Sequence, residues 1–485
     1  MEDRIFRQYD IRGIYGKDLT EEVAFLIGKA FISLIKKETG KTPKRISVGR
    51  DVRKSSKSLR DALVRGITES RVNVVDLGVC PTPLQYFSLF RLSVEGGIMI
   101  TGSHNPPEFN GFKLSIGKDT IYAEKITELK RIIEEGKFIE NKKAGLIENY
   151  DIITDYINFM LERFPSFRGI KLVIDSGNGT AGVVAPEIFK RLGAEVIELY
   201  SEPDGNFPNH HPDPVVLDNI KELQEWVVRE KANFGIGFDG DADRIGVVDE
   251  EGKPVWGDKL LIIFSKDILK EHPKAKIIGE VKCSQVMYDE IKRSDGIPIM
   301  WKTGHSLIKS KMKEEGALLA GEMSGHIFFK DKYFGYDDAI YASLRLTEII
   351  KKAGKPYGIK KLLQGLKEMY STPEIRVECP DEKKFQVVEM IKEHFKNFDC
   401  NFIDGVRINF QNAKHFPEAE PKVPIAKQFP EAKPKAPKGW ALIRASNTQP
   451  ALVLRFEAET EEDLKYIQST VNEKIFNVFN FLKIL

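Results

Sequence analysis

Apolar runs and amphipathic segments alternate over most of the chain. Residues 45–49 and 72–78 have the continuous apolar pattern of strands, and residues 58–70 between them have the spacing of a helix with one apolar face. The same order returns as a strand at 170–175, a helix at 184–192 and a strand at 195–200. This alternation predicts α/β units.

The pattern changes at positions that mark domain boundaries. New units begin near Tyr150 and Gly252, and after about Tyr370 the chain shows a strand at 374–377, a charged helix from 381 and short strands around Val406 and Val453. That last pattern is typical of an α+β domain. We therefore predict α/β domains at 1–148, 149–252 and 253–368, and an α+β domain at 369–485.

One segment stands apart in composition. Residues 416–424 recur almost unchanged at 429–437, as a tandem repeat rich in Pro, Glu and Lys. Proline at this density excludes helix and central strand, so we expect a solvated, extended insertion over about 412–438. A flap over a neighbouring site is the alternative.

Length and charge narrow the class of protein. The chain has 485 residues, 41% hydrophobic and 30% charged, with a net charge of +2. Such a balance gives no long-range field for nucleic acid or for an anionic membrane, and no apolar stretch approaches the roughly 18 residues of a membrane span. We expect a cytoplasmic globular protein.

The cysteines, Cys80, Cys283, Cys379 and Cys400, lie far apart in the sequence, which indicates reduced thiols rather than a zinc site.

A serine follows a predicted strand at 97–100. Ser103 lies in Thr101-Gly102-Ser103-His104-Asn105-Pro106, where two prolines prevent helix, and a hydroxyl held in such a loop can carry a phosphoryl group. An ordinary strand-to-loop turn is the alternative reading.

Three aspartates stand at alternate positions after a predicted strand at 234–238. Extended backbone would point Asp239, Asp241 and Asp243 to one side, where their like charges favour a bound Mg²⁺ or Ca²⁺. A calcium loop of the EF-hand type is disfavoured because Arg244 occupies the position that requires glycine, and because a strand, not a helix, is expected at 245–249. A solvated acidic turn remains the other alternative.

A complete G-x-G-x-x-G occupies residues 177–182, between a predicted strand and a predicted helix. Glu198 lies about twenty residues onward, as the ribose partner of a dinucleotide would. A tight turn with close glycine packing explains the motif equally well.

Two further motifs combine groups that recognise sugars and phosphates. Gly321-Glu322-Met323-Ser324-Gly325-His326 offers acceptors and donors for a polyol, and Arg444-Ala445-Ser446-Asn447-Thr448 with Arg455 offers guanidiniums and hydroxyls for a phosphate. Each is also compatible with a structural turn. Tyr9, Arg12, Lys282 and His305 are isolated residues that fit either a cleft or an ion-paired surface.

In this order along the chain, the segments at 101–106, 239–244, 321–326 and 444–448 resemble the signature motifs of the α-D-phosphohexomutase family. The resemblance covers nearly the whole chain. It implies four domains around a central cleft, three similar mixed α/β domains and a C-terminal α+β domain. The repeat at about 412–438 departs from the family pattern, while Met323 favours the mannose and glucose subgroup, because glucosamine mutases usually have Gln there.

The resemblance also implies an activity and its residues. The expected reaction is reversible phosphoryl transfer between the 1- and 6-positions of hexose phosphates, through a phosphoserine, Mg²⁺ and a hexose 1,6-bisphosphate. The implied catalytic residues are Ser103, His104, Lys113, Arg244, Arg12 and His326. The implied metal ligands are Ser103, Asp239, Asp241 and Asp243. The implied substrate-binding residues are Tyr9, Lys282, His305, Glu322, Ser324, Arg444, Ser446, Asn447, Thr448 and Arg455.

Several points stay open at this level. Either His326 or Lys113 could transfer the proton. A glucosamine mutase, a metal-dependent serine phosphatase and a sugar-phosphate binding protein are the alternative functions. We expect hexose phosphates as the only partners, with no obligate protein partner.

Overall fold

A computed structural model describes residues 3–139, 144–411, 437–447 and 449–484. The predicted insertion lies almost wholly outside the described residues, and so does Thr448. By its contacts the chain divides into two compact units. The first consists of Met1–Gly279, Met287–Ile299 and Gly304–Gln364, and the second of Glu280–Val286, Met300–Thr303 and Gly365–Leu485.

The first sheet is mixed, with parallel and antiparallel pairings. Its strands are β1 (Ile11–Ile14), β2 (Arg45–Arg50), β3 (Asn73–Val79), β4 (Gly96–Ile100), β5 (Phe109–Ile116), β6 (Asp119–Thr120) and β7 (Ile147–Asn149), and its helices are α1 (Glu21–Thr39), α2 (Ser56–Glu69), α3 (Thr82–Arg91) and α4 (Glu124–Glu135). The strand order is β1-β5-β4-β2-β3-β7, with β6 paired to β5. Strands β4, β2, β3 and β7 run parallel, and β5 is antiparallel to its three neighbours β4, β1 and β6.

The next two sheets repeat this plan. The second sheet has β8 (Lys171–Asp175), β9 (Glu195–Leu199), β10 (Phe234–Phe238), β11 (Ile245–Val248) and β12 (Pro254–Val255), with α5 (Ile152–Leu161), α6 (Ala185–Arg191) and α7 (Lys221–Arg229). The third has β13 (Lys276–Glu280), β14 (Ile297–Trp301), β15 (Leu319–Gly321) and β16 (Ile327–Phe329), with α8 (Gly257–Glu271), α9 (Gln285–Arg293), α10 (His305–Glu315) and α11 (Ala339–Lys352). Their orders are β12-β11-β10-β8-β9 and β14-β13-β15-β16. In each, a parallel pair is followed by an antiparallel strand, β11 in one and β16 in the other.

The fourth sheet is antiparallel in every described pairing. It has β17 (Tyr370–Ser371), β18 (Ile375–Glu378), β19 (Asp399–Asn401), β20 (Val406–Asn409), β21 (Gly439–Ala445) and β22 (Ala451–Ala458), with α12 (Lys384–His394) and α13 (Glu461–Phe481). The predicted change from α/β to α+β is therefore confirmed. The charged helix begins at Lys384, three residues later than predicted, because 381–383 form a turn after Pro380.

Local sequence explains the pairing of α1 with α2. Thr20 caps α1 by accepting a hydrogen bond from the Val23 amide, and Gly40 ends it in the left-handed conformation. Where the two helices cross, a Cβ on Gly66 would lie 2.2 Å from the Phe25 carbonyl oxygen. Glycine there permits a backbone approach that no other residue allows.

No described helix combines the length and the apolar character that a bilayer span needs.

Candidate active site

Ser103 lies in the loop that follows β4. Its hydroxyl is turned toward residues 239–244, which carry the three aspartates and are called the acidic loop below. Its backbone is left-handed (φ 50°), and its amide donates to Thr101 Oγ1 at 2.8 Å. The side chain is 3% exposed, and Oγ donates to Asp239 Oδ2 at 2.9 Å. His104 Nδ1 lies 3.1 Å from the same Oγ. A non-glycine residue held in this conformation costs on the order of 1 kcal/mol, so the surrounding contacts fix the hydroxyl in place.

Arg53 supplies many of those contacts, and the sequence analysis missed it. This buried guanidinium donates to the carbonyls of Ser103 (2.8 Å), Asn105 (2.5 Å) and Phe109 (3.0 Å), and also to that of Pro106. Its Nε pairs with Asp51 Oδ2 at 3.1 Å, and burial lowers the pKa of Arg53 despite this partner. The sequence feature that could have indicated this role is Asp51-Val52-Arg53, an acidic and a basic residue directly after a predicted strand.

The three aspartates converge, although the expected backbone was wrong. Residues 239–244 form a turn between β10 and β11 rather than an extended strand, and Ala242 is left-handed (φ 60°). Asp239 Oδ1 accepts from the amides of Asp243 and Arg244, each at 3.1 Å. Oxygens of Asp239, Asp241 and Asp243 lie within 4.8 Å of one another, and all three residues are buried.

Lys113, on β5, provides the counter-charge in this structure. Its Nζ donates to Asp241 Oδ2 at 2.7 Å and to Asp243 Oδ2. Burial by itself would lower the pKa of Lys113, but these two carboxylates raise it well above its usual value. Burial and the two neighbouring carboxylates raise the pKa of Asp239. The acidic loop is thus short of positive charge.

A divalent cation fits this loop. Asp241 Oδ1 is buried and accepts no hydrogen bond among the described residues, and Asp243 Oδ1 is an ion-pair neighbour of His326 Nε2 at 3.3 Å. Unpartnered buried carboxylate oxygens are costly, and an oxygen-only ligand set suits Mg²⁺. Thr82, which was not anticipated, orients Asp241 by donating from its hydroxyl to Oδ2 and from its amide to the Asp241 carbonyl.

His326 lies between two carboxylates, in the turn that joins β15 to β16. Its Nδ1 is 2.9 Å from Glu322 Oε2 and its Nε2 is 3.3 Å from Asp243 Oδ1. Burial lowers the pKa of His326, but Asp243 and Glu322 outweigh burial and raise it to about 9. In the imidazolium form, the 3.3 Å approach of Arg244 Nε to Nε2 is a contact between two donors. Ser324 Oγ is 3.1 Å from Nδ1.

The remaining predicted residues of the first unit lie around this centre. His305 begins α10 with its ring at the edge of Tyr9 (centroids 6.3 Å apart) and stacked on His326 (5.6 Å). Burial, with the nearby Lys309, lowers the pKa of His305 well below its usual value. Arg12, on β1, donates to Asn105 Oδ1 at 2.7 Å and thereby contacts the Ser103 loop.

The second unit carries the other predicted residues. Arg444 on β21 is opposite Val453, and Arg455 on β22 is opposite Leu442, so both arginines lie on one face of the sheet as diagonal neighbours. Arg444 Nε donates to Asp404 Oδ2 at 2.9 Å. Ser446 and Asn447 follow β21, and Ser446 Oγ accepts from the Gln449 amide at 3.1 Å. Lys282 Nζ, in the same unit, is 3.0 Å from Glu374 Oε2.

Two alternatives from the sequence lose their support. A Cβ on Gly179 would lie 2.7 Å from the Gly240 carbonyl oxygen, and one on Gly182 would lie 2.0 Å from that of Ser201. At Gly179, where the pyrophosphate of a dinucleotide would approach, the chain's own backbone fills the space, and Glu198 is ion-paired with Lys190. The residue at the twelfth EF-hand position, Glu250, accepts from the Ile359 amide at 2.8 Å instead of facing the acidic loop.

Comparison with known proteins gives matches over nearly the whole chain. Four domain families match in order: phosphoglucomutase/phosphomannomutase alpha/beta/alpha domain I at residues 3–140, domain II at 154–252, domain III at 256–370 and the C-terminal domain at 374–474. A phosphomannomutase/phosphoglucomutase of Pseudomonas syringae pv. tomato is 42% identical over 478 residues, with 98% of this chain and 96% of that protein covered. A phosphoglucomutase of Neisseria gonorrhoeae is 41% identical over 469 residues, covering 96% and 95%.

A solved structure agrees with these matches. The crystal structure of a phosphoglucomutase/phosphomannomutase family protein from Burkholderia thailandensis has a TM-score of 0.86 and 37% identity, covering 99% of this chain and 98% of that one. The shared motifs, the matching domain order and the near-complete coverage lead to one conclusion: the chain belongs to the phosphoglucomutase/phosphomannomutase family, the α-D-phosphohexomutases.

Proposed function

We propose that this protein interconverts the 1- and 6-phosphates of mannose and glucose by reversible phosphoryl transfer through Ser103. The contact that carries the proposal is the 2.9 Å hydrogen bond from Ser103 Oγ to Asp239, one of three converging buried carboxylates. A nucleophilic hydroxyl next to a cation site is the arrangement that phosphoryl transfer requires. The names of the relatives, phosphomannomutase/phosphoglucomutase and phosphoglucomutase, support the same activity.

The proposed cycle begins and ends with one phosphoryl group on Ser103. The free hydroxyl of a hexose monophosphate attacks the phosphorus of phosphoserine 103, the bond from phosphorus to Oγ breaks, and a hexose 1,6-bisphosphate forms. The attacking hydroxyl loses a proton and Oγ gains one. After the sugar reorients, Oγ loses its proton and attacks the other phosphoryl group. The bond from that phosphorus to the sugar oxygen breaks, the oxygen gains a proton, and the opposite monophosphate leaves.

The charged side chains have separate roles in this proposal. Phosphoryl transfer passes through a loose transition state, so the protein mainly positions the groups and neutralises the oxygens. Because two carboxylates hold Lys113 as an ammonium, it fits charge neutralisation together with Arg244. His326, whose pKa is raised to about 9, is an imidazolium at neutral pH and is assigned donation of the proton that Oγ gains. Asp239, Asp241 and Asp243 would hold Mg²⁺, which supplies further neutralisation of phosphoryl oxygens.

Substrate recognition is assigned to three groups of residues. Glu322 and Ser324 are proposed to hold sugar hydroxyls, because a carboxylate and a hydroxyl together provide an acceptor and a donor. Tyr9 and His305 are proposed to line the same region. Arg444, Ser446, Asn447, Thr448 and Arg455, with Lys282, are proposed to bind the phosphate that does not react, since arginine forks match phosphate oxygens.

One incubation separates the candidate functions. The protein is mixed with mannose 1-phosphate, Mg²⁺ and a trace of hexose 1,6-bisphosphate, and mannose 6-phosphate and free phosphate are followed by ³¹P NMR. A mutase accumulates mannose 6-phosphate without free phosphate. Steady release of phosphate would indicate a phosphatase, and saturable binding without turnover would indicate a binding protein. Glucosamine 1-phosphate, tested in parallel, reports whether the sugar range extends to that substrate.

The nucleophile is tested by intact mass. Ser103→Ala is expected to remove the phosphorylated species that appears after incubation with bisphosphate. Ser58→Ala, a serine of α2 that donates to the Ser55 carbonyl, is the matched control and should keep that species. If Ser103→Ala formed as much phosphorylated protein as the wild type, another residue would carry the phosphoryl group.

A further inference from the structure

A carboxylate lies against one of the arginines to which phosphate binding is assigned. Asp404 is in the turn between β19 and β20, and its Oδ2 accepts from Arg444 Nε at 2.9 Å. The side chain of Asp404 is 16% exposed and that of Arg444 is 6% exposed. A Cβ on Gly405 would lie 2.3 Å from the Ile443 carbonyl oxygen, so the turn lies directly against β21. Backbone contact as well as the hydrogen bond therefore fixes this pair.

The same carboxylate oxygen is anchored on its other side. Asp404 Oδ2 also accepts from the Thr303 amide at 3.0 Å. Thr303 Oγ1 donates to Glu280 Oε2 at 2.7 Å, and that oxygen accepts from the Lys282 amide at 3.1 Å. Glu280 is fully buried, so water does not compete for these bonds. A continuous chain of hydrogen bonds within the second unit therefore runs from Arg444 through Asp404 to the backbone at Lys282.

The charge of Asp404 by itself opposes binding of a phosphate. A carboxylate next to a phosphate-binding guanidinium repels the anion, because both carry negative charge. The hydrogen bond to Nε has the opposite effect, since a guanidinium held at Nε keeps its planar fork in one orientation, and a bidentate phosphate contact requires such an orientation. Removal of the carboxylate therefore strengthens phosphate binding if only its charge matters, and weakens it if its orienting contact matters more.

We propose that Asp404 is a positioning residue that orients the Arg444 guanidinium for the non-reacting phosphate of a hexose phosphate. Through Thr303 and Glu280 it also connects this arginine to the backbone at Lys282. A side chain that is ordered before the ligand arrives loses less conformational entropy on binding, so the orienting contact raises affinity. The inference rests on the proposed function, because Arg444 and Lys282 are assigned there to the phosphate that does not react.

Isothermal titration calorimetry with glucose 6-phosphate is the test. The full-length protein is used with Mg²⁺ and without bisphosphate, after intact mass has shown that it is unphosphorylated. Asp404→Ala is expected to weaken binding about tenfold. Asp404→Asn keeps one acceptor oxygen without the charge and should weaken binding about threefold. Asp381→Asn, which removes an exposed carboxylate paired with Lys384 in the same unit, should bind as the wild type does. Thermal unfolding checks that each variant is folded.

A double-mutant cycle reports whether Asp404 acts through the arginine. Arg444→Met removes the guanidinium and should by itself weaken binding of glucose 6-phosphate. In that background Asp404→Ala should cause a further loss of less than about twofold, because no guanidinium is left to orient. A carboxylate that only stabilised the turn would instead cause the same loss in both backgrounds.

The results that contradict the inference differ from those that contradict the proposed function. If Asp404→Ala and Asp404→Asn are folded and bind glucose 6-phosphate as tightly as the wild type or more tightly, Asp404 does not position the arginine. Losses that add fully in the double variant would also refute the inference. Unchanged binding in Arg444→Met would remove the phosphate assignment made in the proposed function, and the inference with it.

Discussion

Arg53 offers the sharpest test of how the fold positions the nucleophile. Its guanidinium contacts five acceptors: Asp51 and the four carbonyls of Ser103, Asn105, Pro106 and Phe109. The side chain is 0% exposed, so water cannot replace these bonds. In Arg53→Lys the charge stays, but an ammonium has only three donors, and at least two acceptors lose their partner.

The expected cost follows from that count. Each buried acceptor left unpartnered costs about 1–3 kcal/mol, so two of them cost about 2–6 kcal/mol. Arg53→Met also leaves Asp51 without its buried cation, and breaking such a pair costs about 3–5 kcal/mol. The loss should appear first as local opening of residues 101–110, because the contacted carbonyls lie in that segment.

Native-state hydrogen exchange of the amides in residues 101–110 measures this opening. A loss of about 2 kcal/mol corresponds to roughly 30-fold faster exchange in Arg53→Lys. Formation of phosphoserine 103 from the bisphosphate should slow in parallel, because the hydroxyl is no longer held toward Asp239. Arg131→Lys, an exposed ion-paired arginine of α4, is the control and should change neither quantity. Exchange within threefold of the wild type in Arg53→Lys would refute the reasoning.

Three further outcomes are expected. In Gly66→Ala the new Cβ would lie 2.2 Å from the Phe25 carbonyl oxygen, so urea unfolding should show a loss of about 1–3 kcal/mol; no loss, beside an unchanged Ser58→Ala control, would contradict the close approach of α1 and α2. Asp175 outweighs burial and raises the pKa of His210, so the stabilisation from this pair is full below the unfolded pKa of about 6.5 and is lost as pH rises through the folded pKa. His210→Gln should therefore destabilise the protein more at pH 5.5 than at pH 8.5, and an equal loss at both would argue against the pair. Burial raises the pKa of the Cys80 thiol to about 12, so iodoacetamide at pH 8 should label Cys80 only after unfolding, and rapid labelling of the native protein would show that the thiol is accessible.

Local pattern determined a large part of this protein. The apolar strand at 234–238 became β10 with the same bounds, and the predicted strand at 170–175 became β8, because continuous apolar runs specify buried strands. The order of the motifs was equally informative, because four short segments that follow one another in the family's order carry the resemblance. The reading of the acidic loop as extended failed because a single left-handed residue, Ala242, turns the chain, and no periodicity signals such a residue.

What the sequence by itself determined was the succession of α/β units, the closing α+β domain and the set of candidate reactive groups, because these depend on residues close together along the chain. The tertiary structure alone decided that Lys113 neutralises Asp241 and Asp243, that Arg53 holds the carbonyls around Ser103, and that Asp337 lies beside His326. Those contacts join residues tens to more than a hundred positions apart or depend on a turn, and a pattern of neighbouring residues contains no information about such distances in space.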